Sequence, residues 1–187
     1  MKKILFLTFF ISVFSFISNG QITKNNWLVG GNGRLSSQKQ TLNSSDIKGF
    51  NIDLSPNVGY FFIDKFAGGI KARLAFDKVE FNGGVSKTTQ TGIGPFFRYY
   101  FLEQLNRINL FAEAAYQYLH NSGNTGSSNS SNTFTFSAGP VIYFNTSVGV
   151  ELTANYEIFN NQSVNTKAKT FFLSIGFQIH LEKEKNY

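Results

Sequence analysis

The chain predicts an all-β fold: an eight-stranded antiparallel up-and-down transmembrane β-barrel preceded by a cleaved signal peptide. Three observations predict it. Segments of about ten residues alternate an apolar face with a glycine-rich polar face, and the pattern recurs along the chain between turn-forming residues. Only 15% of residues are charged while 17% are aromatic and 17 are glycine, whereas about a quarter of a soluble domain is charged. Beyond the N-terminus no stretch approaches the roughly 18 apolar residues of a membrane helix, so closed sheet is the remaining way to cross a bilayer.

The N-terminus has the build of a secretory leader: Lys2 and Lys3, an apolar run from Ile4 to Ile17, then Ser18, Asn19 and Gly20. Cleavage is expected after Gly20, dividing the chain into a signal peptide over 1–20 and a barrel over 21–187. Losing the two lysines lowers the formal charge from +6 to a modest +4, and no basic cluster points to a nucleic-acid partner. There is no cysteine, so no disulfide framework supports this secreted chain.

Strands are expected near 26–36, 47–60, 66–77, 88–100, 108–119, 133–144, 147–157 and 169–181. In the second, Phe50, Ile52, Leu54, Pro56, Val58 and Tyr60 alternate with Asn51, Asp53, Ser55, Asn57 and Gly59. In the last, Phe171, Leu173, Ile175, Phe177 and Ile179 alternate with Phe172, Ser174, Gly176, Gln178 and His180. The connections alternate in length. Long ones run from Ser37 to Asp46, Lys78 to Lys87, His120 to Asn132 and Ile158 to Ala168; short ones centre on Ile63-Asp64-Lys65, Glu103 to Asn106, and Asn145-Thr146. Outer-membrane barrels have short periplasmic turns and longer outside loops, which places both termini in the periplasm. The polar, low-complexity segment Asn121 to Asn132 reads as a mobile hydrated spacer or a ligand-binding loop.

Charge placement decides which face meets lipid. Within the strands the ionisable residues share the glycine face: Arg34, Lys71, Arg73 and Arg98, with Asp53, Glu113, Glu151 and Glu157. A lipid-facing Lys or Arg at mid-depth costs about 2–4 kcal/mol, so this face is expected to line the lumen. Unpaired charges in so narrow a space are costly, and four cations facing four acids predict a plug of ion pairs. Glycines 30, 49, 59, 69, 92, 94, 139, 149 and 176 are expected to leave room for the long arginines and glutamates. Aromatic residues predict two girdles at the water–lipid boundary: Trp27, Tyr60, Phe61, Phe62, Phe66, Tyr99, Tyr100, Phe101, Tyr143 and Phe144 by the short turns, and Phe50, Phe76, Tyr116, Tyr118, Tyr156 and Phe171 towards the loops.

The run from Ser55 to Gly69, with Gly92 to Phe101 and Ala138 to Phe144, resembles the strand-turn-strand pattern of the small OmpA/OmpX-like outer-membrane β-barrel proteins over nearly the whole mature chain. The resemblance implies a monomer in the cell outer membrane, in contact with its lipid and lipopolysaccharide. Ser174, Gly176, Ile179 and Leu181 are similar to the terminal signal read by the barrel-assembly machinery, although the chain continues to Tyr187 instead of stopping on an aromatic residue.

Candidate chemistry is sparse. His120-x-Ser122 resembles the His-x-Ser of lipid A deacylases, but no acid lies between Glu113 and Glu151 to complete a triad. His180 reads as an interfacial residue. Asp46, Asp77, Glu80 and Glu157 near the outer rim are candidates for divalent cations, yet two histidines and no cysteines make no metal set, and no cofactor is expected. The expectation is a non-enzymatic barrel with a side-chain-plugged lumen, structural or presenting its loops to an extracellular ligand. The alternatives are a narrow channel or small-solute transporter gated by the interior charges and, remotely, a lipid A-modifying hydrolase.

Overall fold

The computed structural model describes residues 22–42, 45–81, 84–103, 106–124, 128–145, 147–161 and 166–181. The expected leader, its cleavage point and the tail after Leu181 lie outside the described residues. Eight strands follow in chain order: β1 Trp27–Leu42, β2 Ser45–Ile63, β3 Phe66–Phe81, β4 Gly84–Tyr100, β5 Ile108–Gly123, β6 Ser128–Tyr143, β7 Val148–Asn161 and β8 Thr166–Leu181. Each pairs antiparallel with its neighbours in sequence, and β1 meets β8 to close the barrel.

Period-two alternation sorts the side chains. On β5, Asn109, Phe111, Glu113, Ala115, Gln117 and Leu119 are buried, while Leu110, Ala114 and Tyr118 face out. Around the wall Leu54, Val58, Ile70, Leu74, Ile93, Phe97, Phe134, Phe136, Leu152 and Phe177 form an exposed apolar band. Soluble monomers rarely expose a contiguous apolar patch beyond a few hundred Å². This exterior is a lipid-facing one, as the fold class requires.

The strands are longer than the sequence predicts. Pairing runs to Leu42↔Ser45, Phe81↔Gly84, Ser122↔Ser128 and Asn161↔Thr166, so most of the four expected long loops is paired sheet. The sequence signal fades where the outward face turns polar, yet backbone hydrogen bonding does not need an apolar face. Much of the low-complexity segment is likewise a polar ladder and not a spacer: Asn121 Nδ2 donates to Asn129 Oδ1 (3.0 Å) and to Ser131 Oγ (3.2 Å), while Gln90 Nε2 donates to Asn121 Oδ1 (2.6 Å).

Paired residues trace the tilt. From Trp27 the path passes Tyr60, Gly68, Phe97, Ala114, Phe136, Tyr156 and Phe171; the β1–β8 register carried onward brings it back beside Ser37. Such a climb belongs to strands inclined by roughly 35–45°. A 16-residue strand at about 3.3 Å per residue then reaches about 40 Å along the axis, beyond an apolar band of about 25 Å. The excess projects as hairpins at one end, and at the other the turns are tight, with Lys65 in the left-handed region at φ 66°.

Candidate functional site

The lumen is filled in layers. Nearest the tight turns, Ile22, Leu28, Phe61, Phe96, Tyr100, Phe111 and Val141 form a buried apolar cluster. The segment before β1 folds under this mouth: Lys65 N donates to Ile22 O (2.8 Å), Asn25 N to Phe61 O (2.9 Å) and Phe61 N to Asn26 O (2.9 Å). Ile22 thereby becomes a stopper, a role that nothing in its local sequence indicates.

His180 belongs to the same layer. It is buried among the rings of Phe61, Tyr143 and Tyr100, with centroids at 5.5, 5.5 and 5.9 Å, which corrects its expected interfacial position. Ser174, Gly176 and Gln178 alternate inward along β8, and the alternation continues through His180. Phe61, Tyr100 and Tyr143 are likewise turned into the barrel and leave the expected girdle. Parity along each strand, not proximity to its end, sets their direction.

The next layer is ionic, and it brings the predicted charges together. Arg98, on β4, donates Nε to Glu113 Oε2 (2.8 Å), bridges that carboxylate again through Nη2 (2.7 Å), and donates Nη1 to Glu151 of β7. Lys71 pairs with the other oxygen of Glu113, and Gln178 Nε2 lies 3.4 Å from Glu151 Oε2. The Arg98 guanidinium sits 4.2 Å from the Phe111 ring centroid, tying the ionic layer to the aromatic one.

Towards the hairpins come Asn155, Ser137 and Ser174: Ser137 Oγ donates to Asn155 Oδ1 (2.7 Å), and Asn155 Nδ2 to Ser174 Oγ (2.9 Å). Above them a second ionic cluster forms. Arg73 donates to Asp53 Oδ2 and to Glu157 Oε2, each at 2.6 Å, while Arg34 reaches the same Asp53 oxygen at 3.3 Å. Arg34 is thus the most weakly held cation of the set, and its guanidinium stacks 4.0 Å over the Phe172 ring. The space left between these groups is a polar cavity of about 30 Å³, room for roughly two waters.

The glycines serve a different purpose from the expected one. A Cβ at Gly59 would come within 2.9 Å of the Phe96 ring, and one at Gly94 would collide with the Tyr116 carbonyl oxygen. Gly30 and Gly49 lie against Gln178 and Gln38, and Gly92 against Leu119, so these positions admit rings, amides, aliphatic side chains and neighbouring backbone, not the arginines and glutamates.

The remaining candidates disperse. Ser174 and Gly176 face inward on β8 whereas Leu181 faces out, and Ile179 pairs with Val148 and Val29. His120 Nε2 lies 3.3 Å from Ser128 Oγ across the hairpin, while Glu113 is engaged in the lumen. Asp46 is held by Lys39 (2.8 Å) and Thr41 (2.7 Å), Asp77 by Asn51 (2.7 Å), Glu80 by Lys78 (2.5 Å) and Glu157 by Arg73 (2.6 Å). Hydrogen bonds, from Lys39 above all, hold the Asp46 carboxyl below its ordinary range, and Lys78 does the same to Glu80. Among the described residues no three His, Asp or Glu side chains gather as a metal set.

Fold and lumen define a closed eight-stranded barrel of the outer-membrane class. The structure of the outer membrane protein OprG from Pseudomonas aeruginosa is similar at a TM-score of 0.58 and 13% identity, covering 88% of this chain and 99% of that one. Neisserial surface protein A matches at 0.44 and 18%, covering 82% and 94%, and the N-terminal β-barrel domain of Pseudomonas aeruginosa OprF at 0.44 and 12%, covering 84% and 98%. At these identities the likeness is one of fold. No protein-family model matches the chain, and no curated protein sequence matches it.

Proposed function

We propose that this protein is a non-enzymatic integral outer-membrane barrel of the small OmpA/OmpX-like kind, closed to solutes, that serves the envelope structurally or presents its hairpins to partners. The observation that carries the reading is the lumen itself: a ring layer stoppered by Ile22, then two ion-pair clusters, with a cavity of only about 30 Å³ between them. The projecting hairpins face outside and both termini face the periplasm, in keeping with short turns on that side. Ser174, Gly176, Ile179 and Leu181 serve recognition by the assembly machinery, and the barrel acts as a monomer.

Conductance tests the reading. Protein purified from outer membranes and verified as folded by a heat-sensitive gel shift is expected to give no discrete steps in a planar bilayer. Reproducible steps that change on Arg98→Ala would replace it with a channel gated by the interior charges.

A further inference from the structure

Among the described residues one ladder stops far short of the hairpin end. Every other neighbouring pair of strands is joined well into the hairpin end, but β1 and β8 pair only from Trp27↔Leu181 to Gly33↔Ile175. Among the described residues no ladder pair joins Arg34–Thr41 to Lys167–Ser174. The unpaired stretch begins within the apolar wall, since on its other side Leu35 pairs with the half-buried Ile52, two residues from the band residue Leu54, and Phe171 pairs with Tyr156. Leu35 and Phe171 are 72% and 67% exposed, above Ile175 (64%) and Ile93 (60%), the most exposed of the outward residues paired on both sides. Leu35 and Phe171 lack a neighbour on one side.

The sequence supplies a reason. Carried onward, the β1–β8 register would set Lys39 directly opposite Lys169, and like charges facing one another across a ladder are destabilising. Lys48 is already the cross-strand partner of Lys39, and Lys167 lies two residues beyond Lys169 on the same outward face. The acids beside this group are already engaged: Asp46 by Lys39 and Thr41, and Glu80, the partner of Lys48 on β3, by Lys78. Four lysines therefore flank an apolar cleft whose strand edges carry unused backbone donors, and the Arg34–Phe172 stack stands behind it.

Backbone edges in hydrocarbon need partners, and a strand partner would have to accept four surrounding lysines. We infer that the cleft docks a phosphorylated lipid of the leaflet around it, its phosphate among Lys39, Lys48, Lys167 and Lys169 and its acyl chains along Leu35, Phe171 and Leu173. This rests on the proposal that the barrel spans the outer membrane with its hairpins outward.

The test places the protein, purified from outer membranes, in phosphatidylcholine nanodiscs containing a small fraction of diphosphoryl lipid A, and counts retained lipid by native mass spectrometry. At about 1 kcal/mol per lysine near a membrane surface, the Lys167→Gln/Lys169→Gln variant is expected to retain the lipid about thirtyfold less well. Lys87→Gln, an outward lysine on β4 across the barrel, should leave retention unchanged. Equal loss with Lys87→Gln, equal retention of dephosphorylated lipid A, or displacement by inorganic phosphate would each overturn the inference. A heat-modifiable, inserted barrel that fails these arms retains the proposed function, whereas a chain that never inserts refutes both.

Discussion

At the scale of single residues, the buried charges are not equivalent. Arg98 serves two carboxylates, and its removal would strand Glu151, which is fully buried and, among the described residues, has only the distant Gln178 amide besides. Arg98→Ala is expected to destabilise the refolded barrel by about 3–5 kcal/mol, read as a lower urea midpoint. Lys71→Ala should cost less, because Glu113 keeps both Arg98 contacts. Arg34→Ala should be mildest of the three, since Arg73 still holds Asp53 at 2.6 Å; an Arg34 effect equal to that of Arg98 would contradict this ordering. The inward direction of these side chains was legible in sequence, because alternation put them on the glycine face. Their partners were not. Arg73 and Glu157 lie 84 positions apart, and which strands face each other across a lumen depends on closure and tilt. His180 is the opposite case: its inward parity is plain in the sequence, and nearness to a strand end does not override parity.

At the scale of elements, strand cores could be read and strand ends could not. The alternation of apolar and polar residues stops where the wall leaves the lipid, although the hydrogen-bonded ladder does not. The polar ladder from Asn121 to Ser131 therefore predicts slow amide exchange on both of its described strands, and exchange as fast as in a free peptide would refute it. Across the β1–β8 seam, alternate amides of 34–41 and 167–174 lack a cross-strand acceptor and should exchange much faster than those of β1 paired to β2. Close strand approach gives another prediction. Gly94→Ala forces a Cβ against the Tyr116 carbonyl, so overpacking of about 1–3 kcal/mol should reduce the heat-resistant folded fraction in gels. The segment holding Ile22 had no periodicity to betray it, because its position comes from backbone hydrogen bonds to the first turn and not from a face of its own.

At the scale of the whole molecule, composition and periodicity disclosed an eight-stranded barrel with apolar exterior and charged interior, because both follow from residue parity alone. The open seam was hidden, for it exists only where the first and last strands meet. Two kinds of charge result, and ionic strength separates them. The lumen pairs lie behind the wall and a layer of rings, a few ångströms apart with little water between them. The lysines beside the seam face solvent and headgroups. At about 1 M salt the Debye length shrinks to about 3 Å, which screens exposed charges and leaves enclosed ones nearly untouched. Raising salt should therefore release lipid from the seam while the difference in urea midpoint between the wild-type protein and Arg98→Ala stays constant. One molecule would then carry a salt-sensitive surface around a salt-indifferent interior, so its hold on the leaflet could be retuned by the medium without loosening the barrel.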